Sequence, residues 1–482
     1  MFVINYYQIV GGDHMFDEIH EECGVFAVVG DENAANLCYF GLHSLQHRGQ
    51  EAAGILVSDG KKFSIKKGEG LVSEIFNSQN LSKLKGNSSI GHVRYATAGG
   101  GGMANVQPLW FKTIKGSMGI VHNGNIINAD LLRESLEDQG SIFQSSSDTE
   151  ILGHLMKRMK GSFVERICQS LTMLDGGFSF LIMIENAIYA ARDRYGLRPL
   201  CIGKLENGAY ILSSETCGLD AVNAKFVRDV LPGEVIRIKD GVIKSCFYTK
   251  DTTHCMCAME YVYFARPDSN IDGINIHLAR KNAGMYLAKE APCDADIVIG
   301  VPDSSLSAAI GYSEYSHIPY ETGLIKNKYV GRTFIQPTQE LREQAVKLKL
   351  SAIKSVVNGK RVIMIDDSIV RGTTSKRIVK LLKDSGAKEV HVRIASPAIK
   401  FPCFYGVDTS TFDELISNRL DLESLTQYIE ADSLAFISAE GLRQSVNDLS
   451  LNHECGLCMA CFTGMFPTKL YDAFEKANKE LK

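Results

Sequence analysis

Between Val362 and Thr374 the chain reads Val-Ile-Met-Ile-Asp-Asp-Ser-Ile-Val-Arg-Gly-Thr-Thr, an order that few folds accommodate. Four apolar residues in succession read as a strand buried on both faces, the habit of a parallel sheet. Asp366 and Asp367 stand at its C-terminal end, and a Ser/Gly/Thr loop leads into the helical run Ser375–Asp384. In open α/β sheets ligands bind beyond the carboxyl ends of the strands. A loop that opens a helix there offers backbone N–H groups and a positive dipole end to a phosphate. Adjacent carboxylates suit ribose hydroxyls or a phosphate-bound Mg²⁺. The element therefore predicts a site for a phosphorylated ribose. The plainer alternative is an Asp-Asp turn after an ordinary buried strand.

At 482 residues the chain is too long for one hydrophobic core, so two domains are expected. A hydrophobic content of 45% with 22% charged residues is ordinary for a globular protein. The net charge of −4 gives no pull toward nucleic acid or an anionic membrane. No apolar run reaches transmembrane length. The start, Met1-Phe-Val-Ile-Asn-Tyr-Tyr-Gln, has no basic segment and no clean apolar segment, so a signal peptide is not expected and a cytoplasmic location is. Thirteen cysteines in such a chain argue for reduced thiols, catalysis or metal rather than a disulfide framework.

Residues 1–22 read as a separate leader; Met15 could itself be the initiator. From 23 to about 250, short apolar strands alternate with turns, at Ala53–Ser58, Ser117–His122, Phe178–Ile184, Ala187–Arg192 and Tyr210–Ser213. Helical patterns interrupt them near Ala34–Gln46 and Ala129–Gln139, which suggests layered sheets with helices outside. From about 280 the rhythm becomes strand–helix–strand, with parallel-type strands at Asp296–Val301, Arg361–Asp366 and Glu389–Ala395. The expected division is 1–22, 23–253 and 254–482, the last two meeting near the unpatterned Lys250-Asp-Thr-Thr-His254.

Cys23 opens an apolar strand after an acidic leader. Downstream come His47-Arg-Gly49, Gly91-His-Val-Arg-Tyr-Ala-Thr97, His122-Asn-Gly-Asn125 and Ser147-Asp-Thr-Glu150. Taken singly, these also suit surface ion pairs at Arg94 and Asp148 and a hairpin turn at Asn123-Gly124. Together and in this order they resemble the N-terminal-nucleophile glutamine amidotransferase domain, an αββα fold. The resemblance implies that Cys23 is the nucleophile and that Asn123 and Gly124 form the oxyanion hole. It places Arg94 on the glutamine carboxylate, Asp148 on its ammonium and Arg48 close by as a further glutamine contact. A thiol at a free N-terminus can use its own α-amine as base. That amine cannot act while it is tied in a peptide bond, so residues 1–22 must be removed first, as in family members with such leaders.

The segment 362–374 resembles the phosphoribosyl pyrophosphate (PRPP) loop of type I phosphoribosyltransferases, whose sheet is parallel. That resemblance puts Asp366, Asp367, Ser368, Arg371, Gly372, Thr373 and Thr374 on PRPP. A second loop, Ile299-Gly-Val-Pro-Asp-Ser-Ser305, matches the pyrophosphate loop of the same fold. There Ser304 joins Asp366 and Asp367 at one Mg²⁺ per subunit. Between the loops lies Lys326-Asn-Lys-Tyr-Val-Gly-Arg-Thr-Phe-Ile-Gln-Pro337, similar to the flexible loop that closes over PRPP. Lys326, Lys328 and Arg332 are its candidate pyrophosphate contacts, whereas Lys347 and Lys349 read as one face of a solvated helix. Glu260-Tyr-Val-Tyr-Phe-Ala-Arg-Pro-Asp-Ser269 matches the segment that follows the glutaminase half in one family only. Over residues 15–475 the chain resembles the glutamine phosphoribosylpyrophosphate amidotransferases, which open purine nucleotide synthesis. That implies glutamine and PRPP as substrates, purine nucleotides as feedback inhibitors, and a homo-oligomer, tetramer or dimer. The rivals are another amidotransferase built on the same glutaminase half, or a PRPP-sensing regulator without catalysis.

His453-Glu-Cys455-Gly-Leu-Cys458-Met-Ala-Cys461 is a CxxCxxC stretch. Thiolates so spaced can bind metal, but spacing separates neither zinc from iron–sulfur nor the ligating pair from the spare cysteine. Partners must come from elsewhere, from Cys403 and from Cys255 or Cys257. One branch of the family, the one with leaders, carries a [4Fe–4S] cluster. By that resemblance one cluster per subunit is held by Cys257, Cys403, Cys458 and Cys461.

Overall fold

The computed structural model describes residues 23–95, 102–113, 116–327, 350–409, 411–450 and 456–479. The leader 1–22, Lys328, Arg332, Lys347, Lys349 and Cys455 lie outside the described residues.

Two antiparallel sheets face each other in the N-terminal half. The first has seven strands, in the spatial order Lys225–Asp229, Cys201–Lys204, Tyr210–Ser213, Gly24–Val29, Ser88–Arg94, Ala52–Ser58 and Phe63–Glu69. The second has six, in the order Val242–Phe247, Glu234–Lys239, Ala187–Arg192, Gly176–Ile184, Gly116–Ile126 and Leu109–Thr113. Side chains alternate across each strand, which sorts them between two cores. Val25, Ala27, Leu56, Ile90, Val121, Leu181, Ile188 and Ile236 fill the space between the sheets. Phe26 and Val28, on the other face of the same strand, pack with Ala35, Cys38 and Leu42 of helix Ala34–Ser44. Ile120 and Phe180 pack with Ile151 and Leu155 of helix Thr149–Arg158. The result is helix, sheet, sheet, helix, the layering expected for residues 23–253.

In the C-terminal half Ile297–Gly300, Arg361–Asp366, Glu389–Ile394 and Ser433–Phe436 form a four-stranded parallel sheet in that order. Val298, Ile363 and Ile365 turn to helices Ile276–Glu290 and Leu306–Ser316. Ile299, Met364 and Val392 turn to helices Thr373–Asp384 and Leu422–Tyr428. Both faces are thus covered, which is why Ile297–Gly300 and Arg361–Asp366 read as apolar runs, whereas Glu389–Ile394 alternates. The last strand, Ser433–Phe436, leads through the apolar stretch Leu434–Ile437 and completes the sheet. Outside this sheet, Met256–Cys257 pairs in parallel with Leu457–Cys458, joining the two ends of the half. Among the described residues no helix is long and apolar enough to cross a membrane.

Candidate active sites and thiol centre

Cys23 sits at the mouth of strand Gly24–Val29, between its two neighbours in the sheet. Its Sγ donates to the carbonyl of Tyr95 at 3.6 Å, and Nε of Arg48 donates to its own carbonyl at 3.3 Å. Burial pushes the thiol up to about 11, opposed by the nearby charge of Arg94 and reinforced by that of Asp148. A thiol so placed is neutral at physiological pH and needs a base before it attacks. Arg94, at the end of strand Ser88–Arg94, is buried. Asp148 precedes helix Thr149–Arg158; its Oδ2 accepts from the Ile126 N–H at 3.0 Å and its Oδ1 lies 3.5 Å from His122 Nδ1. Burial alone would raise the Asp148 carboxyl, but His122 and the Ile126 N–H outweigh it and hold the group low. Neither residue is the surface ion pair of the plainer reading.

Nor is Asn123-Gly124 a hairpin turn. Both residues lie inside the long strand Gly116–Ile126. Asn123 is fully buried, and neither its amide nitrogen nor its amide oxygen has a hydrogen-bond partner. Gly124 has φ +133°, and a Cβ there would strike the Gly177 carbonyl oxygen at 2.0 Å, so only glycine fits. An unpartnered buried amide next to a positive-φ glycine is the donor arrangement of an oxyanion hole.

Arg48 requires a correction. Its Nη1 is 2.6 Å from Glu215 Oε1, and its Nη2 is 2.6 Å from Glu260 Oε1, all three side chains being buried. With its Nε on the Cys23 carbonyl, the guanidinium is occupied and does not face a substrate carboxylate. It holds the nucleophile from behind. Glu215 also takes His47 Nε2 at 2.7 Å, the Arg266 N–H at 3.0 Å and Ser269 Oγ at 2.6 Å. One buried carboxylate therefore fastens the nucleophile's support to the segment that begins the C-terminal half. No spacing signal marks Glu215, a lone acid after strand Tyr210–Ser213, so sequence reasoning missed it.

At the C-terminal end of strand Arg361–Asp366 the two aspartates are buried side by side. Ser305 Oγ donates to Asp366 Oδ1 at 3.0 Å, the Asp367 N–H to the same oxygen at 3.0 Å, and Ser368 Oγ to Asp367 Oδ1 at 2.6 Å. Burial raises the Asp367 carboxyl, opposed by hydrogen bonds from Ser304 and Ser368 and by the charge of Arg280. Gly372, at φ +77°, turns the loop into helix Thr373–Asp384. A cleft of about 260 Å³ opens here, lined by Asp366, Asp367, Ser368, Thr374, Ser304 and Lys326. Two packed carboxylates beside serine hydroxyls and a helix start suit a divalent cation with its phosphates. Lys326 Nζ lies 3.7 Å from Asp303 Oδ2. Arg371 Nη2 pairs with Glu414 Oε1 at 2.9 Å, and Arg371, Gly372 and Thr373 are not among the residues that line the cleft. On its far side the cleft reaches His47, the neighbour of Arg48.

Cys257, Cys403, Cys458 and Cys461 line one small cavity with Met259, Ile399, Val407 and Phe466. All four thiols are free, and the Tyr405 N–H donates to Cys403 Sγ at 3.4 Å. Cys255 is absent from this lining and hydrogen-bonds with Cys458 instead. As placed, no three His, Cys, Asp or Glu side chains among the described residues converge on a point as a single ion requires. The thiols surround a space, and four sulfurs around an apolar space are a donor set that fits an iron–sulfur group.

Residues 92–221 match the family model of a glutamine amidotransferase domain. The chain is 57% identical over 456 residues to the amidophosphoribosyltransferase of Bacillus subtilis, covering 94% of this chain and 95% of that one. It is 54% identical over 462 residues to that of Staphylococcus aureus, covering 95% and 93%. The solved B. subtilis glutamine PRPP amidotransferase, complexed with ADP and GMP, superposes with a TM-score of 0.88 at 56% identity, over 93% of this chain and 98% of that chain. A second structure, of an allosteric regulatory enzyme of purine biosynthesis, gives 0.90 at 56% identity, over 94% and 97%. The chain belongs to the amidophosphoribosyltransferase family.

Proposed function

We propose that the enzyme hydrolyses glutamine at Cys23 and passes the ammonia to PRPP, giving 5-phosphoribosylamine, glutamate and pyrophosphate. The observation that carries this is one chain holding both sites, with the cleft at Asp366 and Asp367 also lined by His47, whose neighbour Arg48 donates to the Cys23 carbonyl. Residues 23–253 form the glutaminase and residues 254–482 the phosphoribosyltransferase. The α-amine of Cys23 takes the thiol proton, and the sulfur attacks the amide carbon of glutamine. Asn123 and the Gly124 N–H receive the developing oxyanion, a donor typically contributing about 2.7–4 kcal/mol to the transition state. Arg94 clamps the glutamine carboxylate and Asp148 its ammonium. Ammonia leaves, water releases glutamate from the thioester, and ammonia displaces pyrophosphate at the ribose C1. Asp366 and Asp367 hold the ribose side, and Ser368, Gly372, Thr373 and Thr374 the 5-phosphate. Mg²⁺, held with PRPP by Asp366, Asp367 and Ser304, would offset the charge of the leaving pyrophosphate. The cluster held by Cys257, Cys403, Cys458 and Cys461 would supply a structural tie. Purine nucleotides such as the ADP and GMP of the B. subtilis complex act as inhibitors. Glutamate release from glutamine with and without PRPP tests the reading: dependence on PRPP supports it, and none argues for another amidotransferase.

Mature, active protein should begin at Cys23. Intact mass and N-terminal sequencing decide this, and full activity in protein that still carries residues 1–22 would contradict the amine as base. Glutaminase kcat/KM should rise with pH and level off, following one deprotonation near the ordinary α-amine value of about 7.7–8.0. The sign follows from the base: below that range the amine is protonated and idle. Since burial holds the thiol near 11, thiolate formation adds nothing before the plateau. A rate still climbing toward pH 10 would make the thiolate the attacking form. Replacing both Asp366 and Asp367 with alanine should lower kcat/KM for PRPP by about a hundredfold or more with glutamine and with ammonium alike. A loss confined to one nitrogen source would move these residues out of the shared site.

A further inference from the structure

The oxyanion strand ends in an unusual clearing. Gly124 and Asn125 lie opposite Phe178 and Gly177 in the neighbouring strand. A Cβ on Gly177 would come within 3.4 Å of Tyr405 Cβ, and one on Gly406 within 3.3 Å of the Gly124 carbonyl carbon. With side chains removed on both sides, the backbone of the Cys403–Gly406 loop lies directly on the glycine of the oxyanion hole. Two polar contacts fasten the layers. Asn125 Nδ2 donates to the Phe404 carbonyl at 3.0 Å, and the buried Arg198 donates through Nε to the Tyr405 carbonyl at 3.1 Å. The loop is anchored in turn, since Cys403 and Tyr405 line the thiol cavity and the Cys403 N–H reaches the Thr409 carbonyl at 2.9 Å.

We propose that Asn125 is a positioning residue for glutamine hydrolysis, which fastens the Gly124 peptide to the Cys403–Gly406 loop and so holds the oxyanion donor in line. The proposal rests on the reading of Cys23 and Gly124 as the glutaminase site. A peptide at φ +133° has little intrinsic preference to stay there, and its N–H must meet the oxyanion at hydrogen-bond distance to act. Asn125 Nδ2 bonds the Phe404 carbonyl rather than the thiol, so its influence runs through the adjacent peptide. A misplacement of about 1 Å at such a donor can cost on the order of a hundredfold in rate.

Asn125→Asp keeps the shape and replaces the donor with a carboxylate facing the Phe404 carbonyl. We expect glutaminase kcat to fall by about tenfold or more with KM for glutamine within about twofold. Ammonium-dependent synthesis and iron per chain should match the parent, and Asn125→Gln, which keeps the amide, should recover part of the loss. Parental kcat in Asn125→Asp would overturn the proposal, as would equal loss of both activities in a folded, iron-loaded variant. Should Asn125→Asp not fold, Asn125→Ala removes the amide that bonds the Phe404 carbonyl and is judged by the same outcomes. A parent enzyme that releases no glutamate would instead overturn the glutaminase reading itself.

Discussion

Replacing Cys23 with alanine should abolish glutamine-dependent synthesis, by about four orders of magnitude or more, while synthesis from ammonium survives in part. Removing a nucleophile leaves only what binding and the oxyanion hole contribute, so the loss on that side is close to total. The other side should tolerate it, because the acceptor cleft is lined mainly by residues 301–304, 366–370, 374 and 375, at the ends of the parallel strands, with the 263–267 segment. The Cys23 carbonyl bonds to Arg48, which in turn pairs with Glu260 of the acceptor half, and alanine keeps that carbonyl. The measurement is product formation with glutamine and with ammonium, on protein whose iron content and N-terminus are also determined. Equal loss of both activities in a folded, iron-loaded variant would contradict two separable sites.

The second large effect concerns the thiol cavity. Anaerobically purified protein should be brown, with about four irons and four sulfides per chain. Air should bleach it, with activity falling in step. Cys458→Ser should give a colourless protein with a clearly lowered Tm, because metal binding at a site not formed in the unfolded chain is folding energy. The contributing residues come from the start of the C-terminal half, the Cys403 loop and the last cysteine stretch, so the destabilisation should be global. Cys455→Ser should keep its colour. A colourless Cys455→Ser would show that the other pair ligates, and a colourless parent with one zinc per chain would replace the cluster with a four-thiolate zinc site.

Much of this architecture is legible in the sequence where the signal is periodic. The unbroken apolar runs at Gly24–Val29 and within Arg361–Asp366 announce strands covered on both faces, and both strands form as read. Motifs with a local mechanism also stand out: the Asp366-Asp367 loop lies in one stretch of chain, and its partner Ser305 is adjacent to the expected Ser304. What escapes is set by contacts distant in sequence. Taken alone, Asn123-Gly124 looks like a turn because Gly favours one, yet both residues lie inside a strand, opposite Ser179 and Phe178. Arg48 resembles a substrate clamp until Glu215 and Glu260, 167 and 212 residues away, claim its guanidinium. Arg371 is drawn off by Glu414 in the same manner.

The short parallel pairing of Met256–Cys257 with Leu457–Cys458 has a bearing on how the polypeptide comes into being. One wall of the thiol cavity is synthesised early in the C-terminal half, the opposite wall only near its end. Until residues 457–461 have been made, the cavity has no second side and the Cys403 loop has nothing to close against. A chain interrupted anywhere before that stretch would carry an intact nucleophile and an intact phosphate loop, yet leave open the seam on which the oxyanion strand rests. A chain truncated before Leu457 should therefore lose this seam and melt at a lower temperature than the full-length protein.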